Sequence, residues 1–135
     1  MLLSDAIRIG CAFKPQGFYN LINDDGSSCA LGAALDGSMF NGKYSVEQQE
    51  LAYAHLFNAF PYLNDKAEPI WCNQCNLKDD YLKFAIWHRN DQHKMSREDI
   101  ADFVEQWEIS NGYKEAAKPN ATVKEINSKM ELALA

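Results

Sequence analysis

The chain has 135 residues, a length at which one hydrophobic core folds by itself and two cores of ordinary size do not fit. Apolar residues make up 47% of the sequence and charged residues 24%, a composition that excludes a disordered chain. The net charge of −6 repels phosphate backbones and anionic membranes, so nucleic acid is an unfavourable partner.

The sequence also excludes a membrane span. No stretch reaches the roughly 18 to 20 consecutive apolar residues that a span requires. The first eight residues lack a basic segment ahead of an apolar one. We therefore expect a cytoplasmic protein with no membrane partner. Its four cysteines are too few and too scattered for a disulfide framework, which favours free thiols or metal ligands.

Two short helices are predicted in the first 40 residues. Ser4 is placed to cap a helix that ends ahead of Pro15. Ser28 is placed to cap a second helix over residues 29–36, which Gly37 closes. Most side chains of this second helix are small, so another helix is expected to approach it closely.

The middle of the chain predicts a hairpin turn and a third helix. The Asn-Gly pair at 41–42 tolerates the positive φ angles of a two-residue turn, so a short β-hairpin is expected near 40–44. Ser45 and Gln48 form a capping box, which predicts a helix from about residue 46 to residue 60.

Two more helices complete a mainly α fold of about five helices. Residues 64–69 form a polar connection, and residues 79–87 show helical spacing after an acidic start. Ser96 is placed to cap the clearest helix, whose apolar residues recur at helical spacing as far as residue 107. We expect one domain over residues 1–112 and a polar, partly helical tail over 113–135.

The residues with metal-ligand chemistry lie between positions 72 and 93. They read C-x2-C-x12-H-x4-H, the spacing by which zinc fingers present two thiolates and two imidazoles to one ion, and they are Cys72, Cys75, His88 and His93. Four protein ligands leave no place for an activated water, so a bound Zn²⁺ is expected to be structural.

The two histidines place a condition on the helix that carries them. Five residues apart on an unbroken α-helix, they would point about 140° away from each other, at roughly 100° per residue. The helix must therefore end or distort between them. Asn90 and Asp91 suit this, because Asn enters the left-handed region at low cost.

Other interpretations of this segment stay open. In one of them, the two cysteines are reduced core residues, the two histidines lie on the surface, and the zinc-like spacing is a coincidence. Trp71 and the cysteine pair are similar to a thioredoxin-type redox motif, although no βαβ pattern precedes them. A DNA-reading finger is disfavoured because Asp79 and Ala85 occupy its usual core positions and the segment's net charge is zero.

Weaker candidates lie elsewhere. Cys29 and His55 are a conceivable nucleophile and base, but core packing is favoured for both. Residues 122–130 resemble the recognition helix of a helix-turn-helix domain, although the helix that should precede it lies too far upstream. Acidic side chains on the last strong helix form either a solvated face or a weak partner-binding surface, namely Glu98, Asp102 and Glu105.

Four sequence blocks carry a resemblance. They are Cys-Ala-Leu-Gly-Ala-Ala at 29–34, Cys-x2-Cys at 72–75, His-x-Asn-Asp-x-His at 88–93 and Ser-Arg-Glu-x-Ile-Ala at 96–101. In order and spacing they resemble a group of small proteins of phages, prophages and other bacterial mobile DNA. The resemblance implies a bacterial or phage cytoplasm and an accessory role on mobile DNA, and it brings no known activity to transfer to this chain.

These observations predict a non-enzymatic, zinc-stabilised accessory protein of phage or mobile DNA that acts by protein–protein interaction. The alternatives are a DNA-binding accessory protein or regulator, and a thiol–disulfide enzyme using Cys72 and Cys75. The sequence holds no phosphate-cradling glycine loop that would favour another enzyme class.

Overall fold

The computed structural model describes residues 1–40 and 44–115, and the side chains of residues 39 and 40 are outside that description. Five α-helices and two strands are found there: α1 (Leu3–Gly10), α2 (Ala30–Leu35), α3 (Gln49–Ala59), β1 (Lys66–Trp71), β2 (Lys78–Tyr81), α4 (Leu82–Trp87) and α5 (Arg97–Ser110). Shorter turns extend the helices: π-helical Asp36–Phe40 and His88–Gln92, and 3-10 Val46–Gln48 and Pro61–Leu63. The helix-rich fold is thus as predicted, with a two-stranded sheet in addition.

The chain divides into two compact units, Met1–Glu105 and a second that begins at Gln106. The candidate metal ligands all belong to the first unit. Most of the predicted tail, including the helix-turn-helix resemblance at 122–130, lies outside the described residues. None of the helices in the described ranges is both long and apolar enough to cross a membrane.

Small residues let α1 and the α2 segment approach closely, as the sequence predicted. A Cβ atom added at Gly10 would lie 1.6 Å from the Ala33 carbonyl oxygen, and one at Gly37 would lie 1.9 Å from that of Ala6. Gly37 does not close the helix, which was the prediction, because α2 continues into the π-helical turn Asp36–Phe40. Glycine is needed there for contact with α1.

The start of α2 is capped from a distance. Ser28, the predicted cap, instead accepts a hydrogen bond on Oγ from the buried guanidinium of Arg97 at 3.2 Å. The amide of Ala30, the first residue of α2, donates to the side-chain oxygen of Asn90 at 3.1 Å. A free amide at a buried helix start is costly, so Asn90 supplies the bond that local sequence does not.

The other predicted caps give a mixed result. Ser4 is a fully buried residue inside α1 and caps nothing, which corrects the prediction. The capping box is confirmed, since the Ser45 amide donates to Gln48 Oε1 at 3.1 Å. The cap of α5 is also confirmed, because the Asp99 amide donates to Ser96 Oγ at 3.1 Å.

The hairpin of the structure lies where the sequence predicted a connection and a helix start. β1 pairs antiparallel with β2, with Ile70 opposite Asp79 and Trp71 opposite Lys78. The acidic start at 79–81 is therefore strand, and the helix begins only at Leu82. Pairing with the neighbouring strand across the cysteine turn overrides the local helical pattern. Of the hairpin predicted near 40–44, residues 41–43 lie outside the described part of the chain.

Candidate metal centre

A tight turn after β1 places the two cysteines. The Cys72 amide donates to the Leu77 carbonyl oxygen at 2.8 Å, and the Asn76 amide donates to the Cys72 carbonyl oxygen at 3.1 Å. Asn76 has a φ of 58°, in the left-handed region that Asn adopts more readily than most residues. This reversal lets the chain return as β2 while both sulfurs face the same side of the turn.

A π-helical turn places the two histidines. His88 begins the turn His88–Gln92, and His93 follows directly after it. Hydrogen bonds of the i to i+5 type widen the turn, so that residues five apart return to nearly the same side. The predicted distortion is confirmed, although the left-handed residue is Lys94, with a φ of 52°, and not Asn90.

The four candidate ligands converge on one point. Their ligand atoms all lie within 4.8 Å of one another. Cys75 Sγ is 3.1 Å from His88 Nε2, Cys72 Sγ is 3.4 Å from His93 Nε2, and the two Nε2 atoms are 2.9 Å apart. Tetrahedral zinc, with bonds of about 2.3 Å to sulfur and about 2.0 Å to nitrogen, separates its ligand atoms by roughly 3.3 to 3.8 Å. The cluster therefore could hold one metal ion after small shifts of the ligand atoms.

The site is partly screened from water. Cys72 is 2% exposed and His88 is 8% exposed, whereas Cys75 and His93 are half-buried. Burial opposes ionisation of Cys72, but hydrogen bonds from the Gln74 amide and from Cys75 bring the pKa of this thiol below its usual value. The turn itself thus favours the thiolate, the form that binds metal.

Arg89 places a buried cation beside the thiols. Its guanidinium stacks on the Phe103 ring, 3.8 Å from the centroid, and donates to the carbonyl oxygens of Ala85 and Trp71 at 3.1 and 3.2 Å. Burial lowers the pKa of Arg89, and the charge of Cys72 opposes that change. In the sequence Arg89 counts only as one of the bases that bring the net charge of residues 72–93 to zero, and nothing there indicates this role.

A carboxylate also faces the site. Asp79 Oδ2 lies 3.8 Å from His88 Nδ1, the ring nitrogen on the side away from the sulfurs. This oxygen is buried, and it makes no hydrogen bond within the described part of the chain. The sequence predicted a helix start at Asp79, so the proximity of this residue to His88 was not predicted.

The other sequence candidates are not brought together into a site. Cys29 is 1% exposed in the core, and burial raises the pKa of its thiol to about 11. The His55 imidazole is hydrogen-bonded to the Tyr44 hydroxyl. These surroundings support packing for Cys29 and leave no sign of a nucleophile activated by His55.

The acidic face of α5 is partly neutralised. Arg8 of α1 pairs with Asp102 at 2.8 Å and with Glu105 at 3.0 Å. Glu98 is exposed. Two of the three carboxylates proposed for partner binding are thus engaged within the chain, which leaves less net charge to attract a basic partner.

Comparison with known proteins adds no assignment. No family model, no curated protein and no solved structure matches the chain. The resemblance to proteins of phages and mobile DNA therefore stays a prediction. The functional conclusion rests on the four converging side chains and on the residues that surround them.

Proposed function

We propose that this protein binds one zinc ion through Cys72, Cys75, His88 and His93. The observation that carries the proposal is the convergence of all four ligand atoms within 4.8 Å. Two thiolates and two neutral imidazoles in a tetrahedral arrangement are the donor set typical of zinc, and they are too soft for magnesium or calcium. The depressed pKa of Cys72 supports the same conclusion.

The ion has a structural role in this proposal. Four protein ligands complete its coordination, so no place is left for a substrate or an activated water. It links the hairpin β1–β2, through the cysteine turn, to the end of α4. The residues of the α1–α2 core are buried away from the site. Zinc therefore stabilises the segment from Cys72 to His93 and does not create the whole fold.

Native mass spectrometry with metal analysis tests the proposal. The purified chain should carry one zinc, and a His93→Ala variant should lose the ion or bind it far more weakly. His55→Ala is the matched control, because it removes the third histidine of the sequence, which is outside the cluster. A folded wild-type chain without metal, or equal zinc binding by both variants, would contradict the proposal.

We infer a non-enzymatic accessory role in the cytoplasm of a bacterium carrying phage or mobile DNA, exerted by protein–protein contact. Two apolar side chains beside the site support a contact surface, since Trp71 is 62% exposed and Leu77 is 56% exposed. Affinity capture from bacterial lysate should retain a protein on the wild type and lose it on a Trp71→Ser, Leu77→Ser double variant. Equal capture by both would count against this surface.

One alternative keeps a specific observation in its favour. The lowered pKa of Cys72 would also serve a thiol–disulfide enzyme. Two imidazole nitrogens at hydrogen-bonding distance from the sulfurs favour the metal site, because a redox pair does not require them. A metal-free chain that reduces a model disulfide would support the enzyme. The DNA-binding alternative loses support, since Arg89 is buried.

A further inference from the structure

A carboxylate oxygen near the four candidate ligands is buried without a hydrogen-bond partner among the described residues. This atom is Asp79 Oδ2. A buried carboxylate oxygen without a hydrogen-bond partner is unfavourable, because burial removes its water and no hydrogen bond replaces it. The outer ring nitrogen of His88, Nδ1, lies 3.8 Å from Asp79 Oδ2. This distance is within ion-pair range and about 1 Å beyond a hydrogen bond.

The backbone holds Asp79 in this place. Asp79 lies in β2, opposite Ile70 of β1, so the sheet fixes the direction of its side chain. His88 is equally constrained, since it is 8% exposed and begins the π-helical turn. The strand and the turn thus hold the two side chains near each other. Asp80, the next residue of the same strand, is exposed and offers a comparison.

We propose that Asp79 is the positioning residue of the zinc site, accepting a hydrogen bond from His88 Nδ1–H when the ion is bound. The inference rests on the proposed zinc function. A proton held at Nδ1 leaves the lone pair at Nε2 directed at the cysteines, 3.1 Å from Cys75 Sγ. A carboxylate behind a ligating imidazole fixes its tautomer and ring orientation and makes it a stronger ligand.

The charge balance of the site agrees with this role. Two thiolates neutralise a zinc ion, so Asp79 adds a negative charge next to the cluster. The buried guanidinium of Arg89 interacts favourably with Asp79 and with both cysteines. The extra negative charge of Asp79 therefore has a buried positive charge among its surroundings, which favours it.

Zinc affinity, measured by competition with a chromophoric chelator on the full chain, tests the proposal. Asp79→Ala should weaken zinc binding about 10- to 100-fold, the range found when a group behind a metal-bound histidine is removed. Asp79→Asn keeps an acceptor oxygen and the side-chain shape, so it should recover part of the loss. Asp80→Ala is the matched control and should leave the affinity unchanged.

A second readout separates positioning from general stability. In the zinc-loaded wild type, proton NMR should show a slowly exchanging Nδ1–H of His88. Asp79→Ala should lose this signal, and Asp79→Asn should keep it. Zinc binding by Asp79→Ala equal to that by Asp80→Ala, with the signal intact, would overturn the positioning role while leaving the zinc site standing. A wild-type chain that binds no zinc would overturn both.

Discussion

Replacing Asn90 by alanine should destabilise the first unit more than any surface change in the same turn. Asn90 is fully buried in the π-helical turn between the two histidines. Its side chain accepts from the Ala30 amide at 3.1 Å and from Gln16 Nε2 at 3.2 Å, and it donates to the Gly17 carbonyl oxygen at 3.1 Å. Alanine would remove these three bonds and a fourth, which Asn90 donates to Asp91 Oδ1 at 2.8 Å.

The magnitude follows from the groups left behind. The Ala30 amide and the Gly17 carbonyl group are buried, and both would lose the partner that Asn90 provides. Each unsatisfied buried group costs about 1–3 kcal/mol, so the variant should lose about 2–6 kcal/mol of unfolding free energy. The turn that sets the spacing of His88 and His93 should loosen too, and zinc binding should weaken with it.

Urea denaturation of the zinc-loaded protein measures this loss. Gln92→Ala is the matched control, because its side chain is exposed in the same turn, and it should change the unfolding free energy by less than about 0.5 kcal/mol. The same comparison with chelator present separates the hydrogen bonds from the zinc contribution. A loss below about 1 kcal/mol for Asn90→Ala in both conditions would refute the reasoning.

Two further predictions concern buried titratable groups. Lys14→Met should cost about 3–5 kcal/mol in urea denaturation, because Asp36 is 1% exposed and would lose its ion pair at 2.9 Å; an equally stable variant would contradict this expectation. Burial raises the pKa of Cys29 to about 11, so the folded chain keeps a proton that the unfolded chain loses above the ordinary value of 9.0. Its contribution to stability should be complete below pH 9 and should be lost between pH 9 and 11. Stability measured across that range should fall less steeply in Cys29→Ala than in the wild type.

Local sequence patterns predicted correctly those features that depend on residues close together in the chain. The capping box at Ser45 and the cap at Ser96 were found because their bonds span only three residues. The small side chains of α2 predicted close helix packing, since the absence of bulk is visible in the residue types themselves. The ligand set was predicted for the same reason, because a short turn and a helix fix the spacing of cysteines and histidines.

The elements that were predicted wrongly depend on strand pairing or on distant side chains. Residues 79–81 have a helical pattern, yet they pair with β1 across the cysteine turn. Ser28 is a good cap by residue type, yet Arg97 takes its hydroxyl and Asn90 caps α2 from 60 residues away. In both cases a hydrogen bond to another segment replaces the one expected within the helix, and the helical pattern of the residues does not report such a choice.

The sequence by itself determined which side chains can hold a metal and that the helix between the two histidines must distort. Only the tertiary structure decided how this happens, by a π-helical turn with Lys94 in the left-handed region, and what surrounds the site. Arg89 and Asp79 lie beside the cluster because the hairpin folds against α4, which buries Arg89 and the Oδ2 atom of Asp79. Packing between segments decides whether a side chain is buried and which way it points. The local sequence pattern cannot show this, because a charged residue has the same neighbours in sequence whether it is solvated or enclosed.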